Sequence, residues 1–192
     1  MAFAPAVPTA DRAALRQRLL SEREAQASTP EGRTMEGALA DHLRAVVLRL
    51  EPHCLGLYWP CRSEFNAPAA LAQDQVHMSA DWALPFARRS PREMHYRLWD
   101  GQAPQAVDEC GIAASSGAQT LPDVVLVPCV GYTPGGHRLG YGGGYFDRWL
   151  AAHPHVCAVG VAWSFTRLDP CEMAPRAHDV PLTLIVTDEG VI

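Results

Sequence analysis

Residues 135–152 read Gly135-Gly136-His137-Arg138-Leu139-Gly140-Tyr141-Gly142-Gly143-Gly144-Tyr145-Phe146-Asp147-Arg148-Trp149-Leu150-Ala151-Ala152, directly after the apolar run 124–130. Glycine reaches backbone angles that are closed to other residues and lets a ligand approach the main chain. If a helix begins near Gly144, its unpaired N–H groups and its dipole add to those of the loop. Arg138 and Arg148 would supply positive charge at either end. The run therefore predicts a phosphate site, and the alternative is a flexible glycine hairpin.

The end of this run points to a metal ion as well. The run lacks the Lys-Ser/Thr ending of the Walker loop and the spacing of the dinucleotide-binding loop, so neither pattern explains it. Asp147 follows the glycines by about one helical turn. A carboxylate in that place can bind the Mg²⁺ that accompanies a nucleotide, because this ion prefers a few carboxylates plus phosphate oxygens. Asp147 is therefore a candidate metal ligand.

Residues 138–148 resemble the signature of the 5-formyltetrahydrofolate cyclo-ligase family (methenyltetrahydrofolate synthetases), roughly R-L-G-x-G-x-G-Y-Y-D-R. Phe146 replaces the second tyrosine, and Gly143 falls at a variable position. The resemblance extends from about residue 11 to residue 190. It implies ATP- and Mg²⁺-dependent conversion of 5-formyltetrahydrofolate to 5,10-methenyltetrahydrofolate, with release of ADP and phosphate. In that reaction the formyl oxygen attacks the γ-phosphate, and the neighbouring nitrogen then closes the ring.

The resemblance also implies roles for the residues of this run. Arg138 and Asp147 are the candidate catalytic residues, since phosphoryl transfer asks mainly for positioning and for neutralisation of charge. The candidate nucleotide contacts are Arg138, Leu139, Gly140, Tyr141, Gly142, Gly143, Gly144, Tyr145 and Phe146. The candidate folate contacts in the same run are Tyr141, Gly142, Gly143, Gly144 and Tyr145.

Composition limits the class of protein. The 192 residues, 48% hydrophobic and 19% charged, predict one globular domain over residues 1–192, with residues 1–8 flexible. The net charge of −5 argues against a nucleic-acid partner, since phosphate backbones recruit clustered positive charge. All sixteen basic residues are arginine, so no lysine can act here. We expect no secretory signal and no membrane span, hence a cytoplasmic protein, and we expect a monomer.

Other common types of site find no support. The six cysteines include no C-x-x-C pair and sit mostly in apolar runs, which favours reduced, buried thiols. No histidine has metal-ligand spacing to another plausible ligand. The Gly-x-Ser-x-Gly motif of a serine hydrolase is absent.

Two helices are predicted at the start of the chain. The first runs over residues 11–23 with Thr9 or Asp11 as its cap, and Arg12 and Arg16 share one face. A solvated basic face would explain these arginines equally well, but the resemblance places them in the ATP site, where the first basic residue is usually lysine. The second helix starts at Ser28-Thr29-Pro30-Glu31 and ends near Leu50.

The rest of the pattern predicts an α/β fold with a three-layer, open, mostly parallel sheet and helices on both faces, similar to a Rossmann fold. Short helices are expected at 67–73 and 144–152. The predicted strands are 54–59, 82–86, 94–99 (an edge strand), 123–128, 156–163 and 182–187.

Trp59 and Glu64 follow the first strand, and in such sheets ligands bind beyond the carboxyl ends of the strands. Trp59 is a candidate for stacking on the pterin. The family has Gly-Glu here, with the glutamate on the pterin, whereas this chain has Ser63 before Glu64. The alternative reading of Glu64 is a solvated loop acid. Asp179 matches a family acid assigned as a second Mg²⁺ contact, and the alternative for it is a turn or capping acid.

Residues 100–121 carry no strong period and predict a long loop over the site. The family commonly has Gly-Ile-x-Glu-Pro here. The corresponding Gly111-Ile112-Ala113-Ala114-Ser115 lacks the acid and the proline, so its role falls to Glu109 or to no residue.

These departures leave two other functions open. One is a diverged relative that binds nucleotide or folate without catalysis. The other is an ATP-dependent enzyme that acts on a different heterocycle, since fold alone does not fix the substrate.

Overall fold

The computed structural model describes residues 11–72 and 79–192. The expectations for residues 1–8, for Thr9 as a cap and for Gln73 lie outside these ranges. The helices are α1 (Arg12–Ala27), α2 (Pro30–Leu50), α3 (Ala67–Leu71) and α4 (Tyr145–Ala152). The strands are β1 (Cys54–Gly56), β2 (Asp81–Arg89), β3 (Arg92–Trp99), β4 (Ala106–Val107), β5 (Ala113–Ala114), β6 (Gln119–Thr120), β7 (Val124–Pro128), β8 (Gly131–Tyr132), β9 (Arg138–Leu139), β10 (Cys157–Val161), β11 (Leu184–Thr187) and β12 (Gly190–Val191).

One eight-stranded sheet organises the molecule. Its order is β12-β11-β10-β7-β1-β2-β3-β6. The five strands β11, β10, β7, β1 and β2 are mutually parallel, and antiparallel strands extend the sheet on both sides. The predicted fold class, a mostly parallel sheet with helices on both faces, is confirmed.

The two faces of the sheet are covered by different helices. Along β7, Val124 and Leu126 face one apolar layer while Val125 and Val127 face the other, as the two-residue repeat of a strand requires. The residues of α2 in the first layer are Leu39, Leu43 and Val47. The residues of α4 in the second layer are Trp149 and Leu150. Burial on both faces explains why the central strands are continuous apolar runs.

The two N-terminal helices begin where the sequence predicts. The side chain of Asp11 accepts a hydrogen bond from the Ala13 N–H, and Thr29 accepts one from the Gly32 N–H, so each helix has a polar cap. Helix α1 continues to Ala27, four residues beyond its predicted end. Its buried leucines, Leu15 and Leu19, pack in a third cluster with Val130 and Leu139, which places α1 above the carboxyl end of β7.

The glycine-rich run is more structured than predicted. A hairpin, β8 and β9, stands between the central strand β7 and the loop, and Gly135 and Gly136 lie in its turn. Arg138 and Leu139 are therefore strand residues. The loop itself is residues 140–144, called the glycine loop below, and Gly144 caps α4 in the left-handed conformation with φ of 66°.

The second half of the sheet also differs in detail. Strand β2 does not stop near Phe86 but continues to Arg89, because β3 pairs with it along its whole length. Pro85 is tolerated there since β1 pairs only with Asp81, Trp82 and Ala83. The expected edge strand β3 is partly covered by β6. Within the predicted loop 100–121, the pair β4 and β5 forms a small sheet of its own.

No helix in the part of the chain that the structure describes has the length and apolar character needed to cross a membrane.

A glycine inside β1 offers a test of the packing. A Cβ at Gly56 would lie 2.8 Å from Tyr96 Cε1 and from Val125 Cγ1, whereas one at Gly37, on the exposed side of α2, meets nothing within 4 Å. We expect Gly56→Ala to lower the free energy of unfolding by roughly 1–3 kcal/mol through overpacking. Gly37→Ala should raise it by about 0.5–1 kcal/mol through helix propensity. Urea unfolding of both variants measures the difference, and equal effects would contradict the packing described.

Candidate active site

A cavity of about 570 Å³ opens at the carboxyl ends of the parallel strands. It lies where the chain order reverses, because β1 has β2 on one side and β7 on the other. Ligands of open α/β sheets bind at such a point. Tyr58 and Trp59 after β1, Pro128 at the end of β7 and Pro85 of β2 form its floor. The whole glycine loop lines one wall.

The amide groups of the glycine loop have no partners of their own. None of the five N–H groups from Gly140 to Gly144 donates a backbone hydrogen bond to any residue in the described ranges. Helix α4 starts directly after them, and no side chain caps its first turn. Unpaired N–H groups at a helix N-terminus attract an anion, because both the donors and the dipole favour negative charge.

Two arginines hold carbonyl oxygens of the glycine loop and so orient two of these donors. Arg16 Nε donates to the carbonyl oxygen of Gly140, and Arg148 Nη2 donates to that of Gly143 at 2.9 Å. Across a trans peptide the N–H points away from the preceding carbonyl. The N–H groups of Tyr141 and Gly144 are therefore directed away from the two guanidinium groups. Arg148 thus holds the loop, and because its acceptors, the carbonyls of Gly143 and Arg92, are neutral, it still carries positive charge there.

Positive charge gathers where α1 and the segment around Arg176 border the cavity. Arg12, Arg16 and Arg176 all line the cavity. The pKa of Arg16 is lowered, mainly because the side chain is partly buried and also because the positive charges of Arg12 and Arg176 lie nearby. Mutual repulsion of this kind is relieved by a bound anion.

Asp179 lies beside this cluster in contact with Arg12. Both nitrogens of the Arg12 fork reach its carboxylate, and the Arg176 N–H donates to it at 2.8 Å. Burial alone would raise the pKa of Asp179, but the Arg12 and Arg176 hydrogen bonds outweigh it and hold that pKa below its usual value. Both oxygens of Asp179 therefore have guanidinium partners, and its predicted Mg²⁺ role stays a prediction.

Asp147 and Arg138 form a second, more buried pair. Arg138 Nη2 donates to Asp147 Oδ1 at 2.8 Å, and the side chains are 4% and 22% exposed. Arg138 also donates to the carbonyl of Val180. The other carboxylate oxygen, Asp147 Oδ2, accepts no hydrogen bond from the described residues. Both residues line the cavity, so Asp147 keeps one oxygen for a ligand.

Glu64 carries an unsatisfied buried oxygen. Its Oε2 accepts a hydrogen bond from the Cys61 N–H at 2.8 Å, which closes a tight turn. Its Oε1 is buried and has no partner within the described structure. An unpaired buried carboxylate oxygen is costly, so a ligand with N–H donors would be favoured beside it. Glu64 is therefore not the solvated loop acid of the alternative reading.

The thiol next to Glu64 is not activated. Burial, followed by the charge of Glu64, raises the pKa of Cys61 to about 11. At neutral pH it stays protonated, and only the thiolate is a good nucleophile. Cys61 is therefore not suited to act as a nucleophile in this cavity.

Comparison with known proteins identifies the group to which this arrangement belongs. The model of the 5-formyltetrahydrofolate cyclo-ligase family matches residues 8–188. The chain belongs to the 5-formyltetrahydrofolate cyclo-ligase family. A relative of that name from Mycolicibacterium smegmatis is 29% identical over 196 residues, covering 93% of this chain and 94% of the relative. One from Mycoplasma pneumoniae is 38% identical over 68 residues, 35% of this chain and 40% of the relative.

Solved structures agree with this family. A 5,10-methenyltetrahydrofolate synthetase from Mycoplasma pneumoniae has a TM-score of 0.73 at 24% identity, covering 93% of this chain and 99% of that one. The NMR structure of the Aquifex aeolicus enzyme of the same name has a TM-score of 0.74 at 28% identity, covering 94% and 91%. The family predicted from the glycine-rich run is confirmed.

Several of the positions expected in a cyclo-ligase meet in the cavity. Trp59, Tyr145 and Phe146 line it. The Tyr145 hydroxyl donates to the Arg88 carbonyl at 3.1 Å, so its ring, more than its oxygen, is available to a ligand. Leu139 is the exception, because its side chain is 1% exposed and packs in the cluster under α1. Leu139 fixes the hairpin and does not face the cavity.

The departure from the cyclo-ligase pattern at residues 111–115 has a structural outcome. Glu109 accepts the Arg89 N–H and lies near Arg88, outside the cavity lining. Its neighbour Asp108 does line the cavity, but both of its oxygens accept backbone N–H groups, from Ala87, Cys110 and Ile112. Asp108 therefore shapes the loop, and Glu109 does not supply an acid to the site.

Several residues in or next to this cavity were not predicted. Arg23 of α1 is 2% exposed and is not among the lining residues, but it donates to Ser63 Oγ and to the hydroxyl of Tyr141, which lines the cavity. Helical spacing could have indicated Arg23. Arg16 and Arg23 lie four and eleven residues after Arg12, and at 3.6 residues per turn both spacings return to the same face of the helix. Arg62, Cys110 and His178 line the cavity and were not predicted either. Their places depend on loop geometry that no local pattern specifies.

A second cavity, of about 580 Å³, lies beside Asp81, Trp82 and Trp99 at the opposite end of β2. It contains no arginine and no glycine-rich loop. The amide donors and the arginine cluster are at the first cavity, which is therefore the candidate active site.

The backbone of the glycine loop gives a direct prediction. Gly142 has φ of +93°, and a Cβ there would lie 3.3 Å from the Arg16 guanidinium carbon. We expect Gly142→Ala to weaken binding of inorganic tripolyphosphate about tenfold, since strain of roughly 1–2 kcal/mol distorts the amide donors. Gly190→Ala is the matched control, because Gly190 also has positive φ, +134°, in a distant hairpin. Calorimetry measures both, and equal affinities for the two variants would refute an anion site at the loop.

Proposed function

We propose that this protein catalyses the ATP- and Mg²⁺-dependent cyclisation of 5-formyltetrahydrofolate to 5,10-methenyltetrahydrofolate, with release of ADP and phosphate. The observation that carries the proposal is that two unsatisfied groups of opposite kind line one cavity. The glycine loop offers N–H donors without acceptors, and Glu64 offers a carboxylate oxygen without a donor. Membership of the cyclo-ligase family supports the same reaction.

The glycine loop and the arginines suit the triphosphate. Phosphoryl transfer asks mainly for positioning and for neutralisation of charge on the transferred group. The five loop amides, the free nitrogens of Arg16 and the guanidinium of Arg12 provide this in our proposal. Arg138 contributes through Asp147, which it holds in place. The loop would thus bind the phosphates through its backbone N–H groups, and the arginine side chains would supply positive charge around them.

Mg²⁺ fits this site as a companion of the nucleotide. Among residues 11–72 and 79–192, no group of three or more His, Cys, Asp or Glu side chains could hold a metal ion by itself. Mg²⁺ commonly uses one or two carboxylates together with phosphate oxygens. Asp147 would hold it through Oδ2, and Asp179 would join only if Arg12 moved. When bound, the ion supplies positive charge to the phosphates.

The folate would lie on the other side of the cavity. Glu64 Oε1 would accept N–H groups of the pterin, and Trp59 and Tyr141 would contact its ring. The formyl oxygen would then attack the γ-phosphate as ADP leaves. The neighbouring nitrogen attacks the activated carbon, phosphate departs and the nitrogen gives up its proton. The nucleophile comes from the substrate, which agrees with the unreactive Cys61 thiol.

The direct test is an assay of the purified protein with ATP, Mg²⁺ and 5-formyltetrahydrofolate. We expect near-ultraviolet absorbance of the methenyl product to appear, with one ADP formed per product. Binding of ATP and folate without that absorbance would favour the non-catalytic alternative. ADP release with a pterin-like or thiamine-like compound, and not with folate, would favour a different heterocycle.

Glu64 provides a prediction on the substrate side. Glu64→Gln keeps an oxygen for the Cys61 N–H but removes the charge that the pterin would meet. We expect KM for 5-formyltetrahydrofolate to rise roughly 10- to 100-fold, the value of a hydrogen bond to a charged group, with KM for ATP nearly unchanged. Glu109→Gln is the control, because Glu109 lies outside the cavity lining. A Glu64→Gln enzyme with normal folate KM would remove Glu64 from the folate site.

Asp147 provides a prediction on the nucleotide side. Asp147→Asn retains an oxygen for Arg138 and lowers the charge available to Mg²⁺. We expect turnover to fall roughly 10- to 100-fold and to require more Mg²⁺, with the circular dichroism spectrum unchanged. Asp41→Asn is the control, since Asp41 is 77% exposed on α2. An Asp147→Asn enzyme with an unchanged Mg²⁺ titration would exclude Asp147 as the metal ligand.

A further inference from the structure

Arg23 is buried more deeply than an unpaired charge can tolerate. It is 2% exposed, yet no carboxylate oxygen of the described residues lies within ion-pair distance of it. A buried guanidinium needs hydrogen-bond partners to offset the loss of water. Its partners are therefore informative about why it is there.

The guanidinium of Arg23 joins two separate loops. Its Nε donates to Ser63 Oγ at 3.1 Å, and its Nη2 donates to the Tyr141 hydroxyl at 2.6 Å. Ser63 belongs to residues 61–65, called the Glu64 loop here, and Tyr141 belongs to the glycine loop. The two donors lie on a rigid planar fork, so they fix the separation of their acceptors. Arg23 thus links the loop of the unpaired carboxylate to the loop of the unpaired amides.

The Glu64 loop has one other polar contact with the glycine loop, between the side chains of Cys61 and Tyr141. Arg62 adopts a φ of +53°, which is unusual for a residue with a side chain. The loop is closed within itself by Glu64, which accepts the Cys61 N–H. The other end is held by Tyr58, whose hydroxyl donates to the Phe65 carbonyl. The contact from Ser63 to Arg23 is thus the one described side-chain hydrogen bond from this loop to α1.

We propose that Arg23 is a positioning residue that sets the distance between the Glu64 loop and the glycine loop. Ser63 and Tyr141 are its two contacts. In the proposed function, on which this role in turnover rests, the separation decides whether the formyl oxygen meets the γ-phosphate. A misplacement of about 1 Å can cost roughly 100-fold in rate.

The linkage is tested by removing its contacts and measuring each loop. Ser63→Ala removes the contact in the Glu64 loop, and we expect tripolyphosphate binding to the glycine loop to weaken about threefold, the value of one net hydrogen bond. Arg23→Gln removes the Arg23 contacts to both loops and leaves the hydroxyl of Tyr141 beside Cys61. We expect amide hydrogen exchange of the Cys61 N–H, protected by Glu64, to speed up about threefold or more. Arg18→Gln, on the exposed side of α1, should change neither quantity.

A double-mutant cycle separates linkage from general weakening. If Arg23 carries the effect, Ser63→Ala should cause no further loss of tripolyphosphate affinity in an Arg23→Gln background, whereas independent structural roles would add. Arg23→Lys keeps the charge without the fork and should not restore the coupling. If Ser63→Ala alters only its own loop, if Arg23→Gln leaves the Cys61 exchange unchanged, or if the effects add, the proposal is wrong.

These measurements are independent of the reaction. Neither uses folate, ATP or turnover, so a protein without cyclo-ligase activity would still show or lack the linkage. If the activity is present, Arg23→Gln should lower kcat by about 10-fold or more, whereas KM for ATP should rise only by about the threefold expected for tripolyphosphate. A raised KM with an unchanged kcat would contradict the positioning role. So would a lower yield of folded protein whose kcat is normal.

Discussion

Hydrogen bonds from arginine side chains to carbonyl oxygens of the glycine loop are the constraint on which this site depends. Arg16 holds the carbonyl of Gly140, and Arg148 holds that of Gly143. Because peptide groups are planar and trans, fixing the carbonyls also fixes the N–H groups. A loop of glycines would otherwise sample many conformations, and its donors would be satisfied by water. The arginines thus orient two of the peptide groups whose N–H donors are unpaired in the described structure.

The fold brings the remaining groups to that loop. The strand order reverses between β1 and β7, so the segments after both strands open into the same cavity. Helix α1 packs above this edge through Leu15 and Leu19, which carries its arginine face to the glycine loop. The site therefore combines groups that are distant in sequence, with Arg16 and Gly140 separated by 124 residues. Arg16 and Gly140 come into contact because of the sheet topology and because the apolar cluster around Leu139 holds α1 against the hairpin.

Much of this arrangement could be predicted from the sequence, and the rest fails for physical reasons. The central strands and α2 follow local periodicity, and the glycine-rich run identified the family. Contacts between residues far apart in the chain could not be predicted from the sequence. No local pattern distinguishes Asp108, which faces the cavity, from Glu109, which does not, or reveals that Leu139 is buried under α1. Arg23 was within reach of helical spacing, but only packing of α1 against two loops gives it partners.

The most direct measurement of the central claim is an NMR titration of the protein, labelled with ¹⁵N-glycine, with MgATP. The account predicts that the amide resonances of Gly140, Gly142, Gly143 and Gly144 move as the nucleotide binds, since their N–H groups gain phosphate acceptors. Those of Gly37 and Gly190, which lie on the exposed side of α2 and in the β11–β12 hairpin, should stay in place. Saturation with MgATP that leaves the four loop resonances unmoved would contradict it.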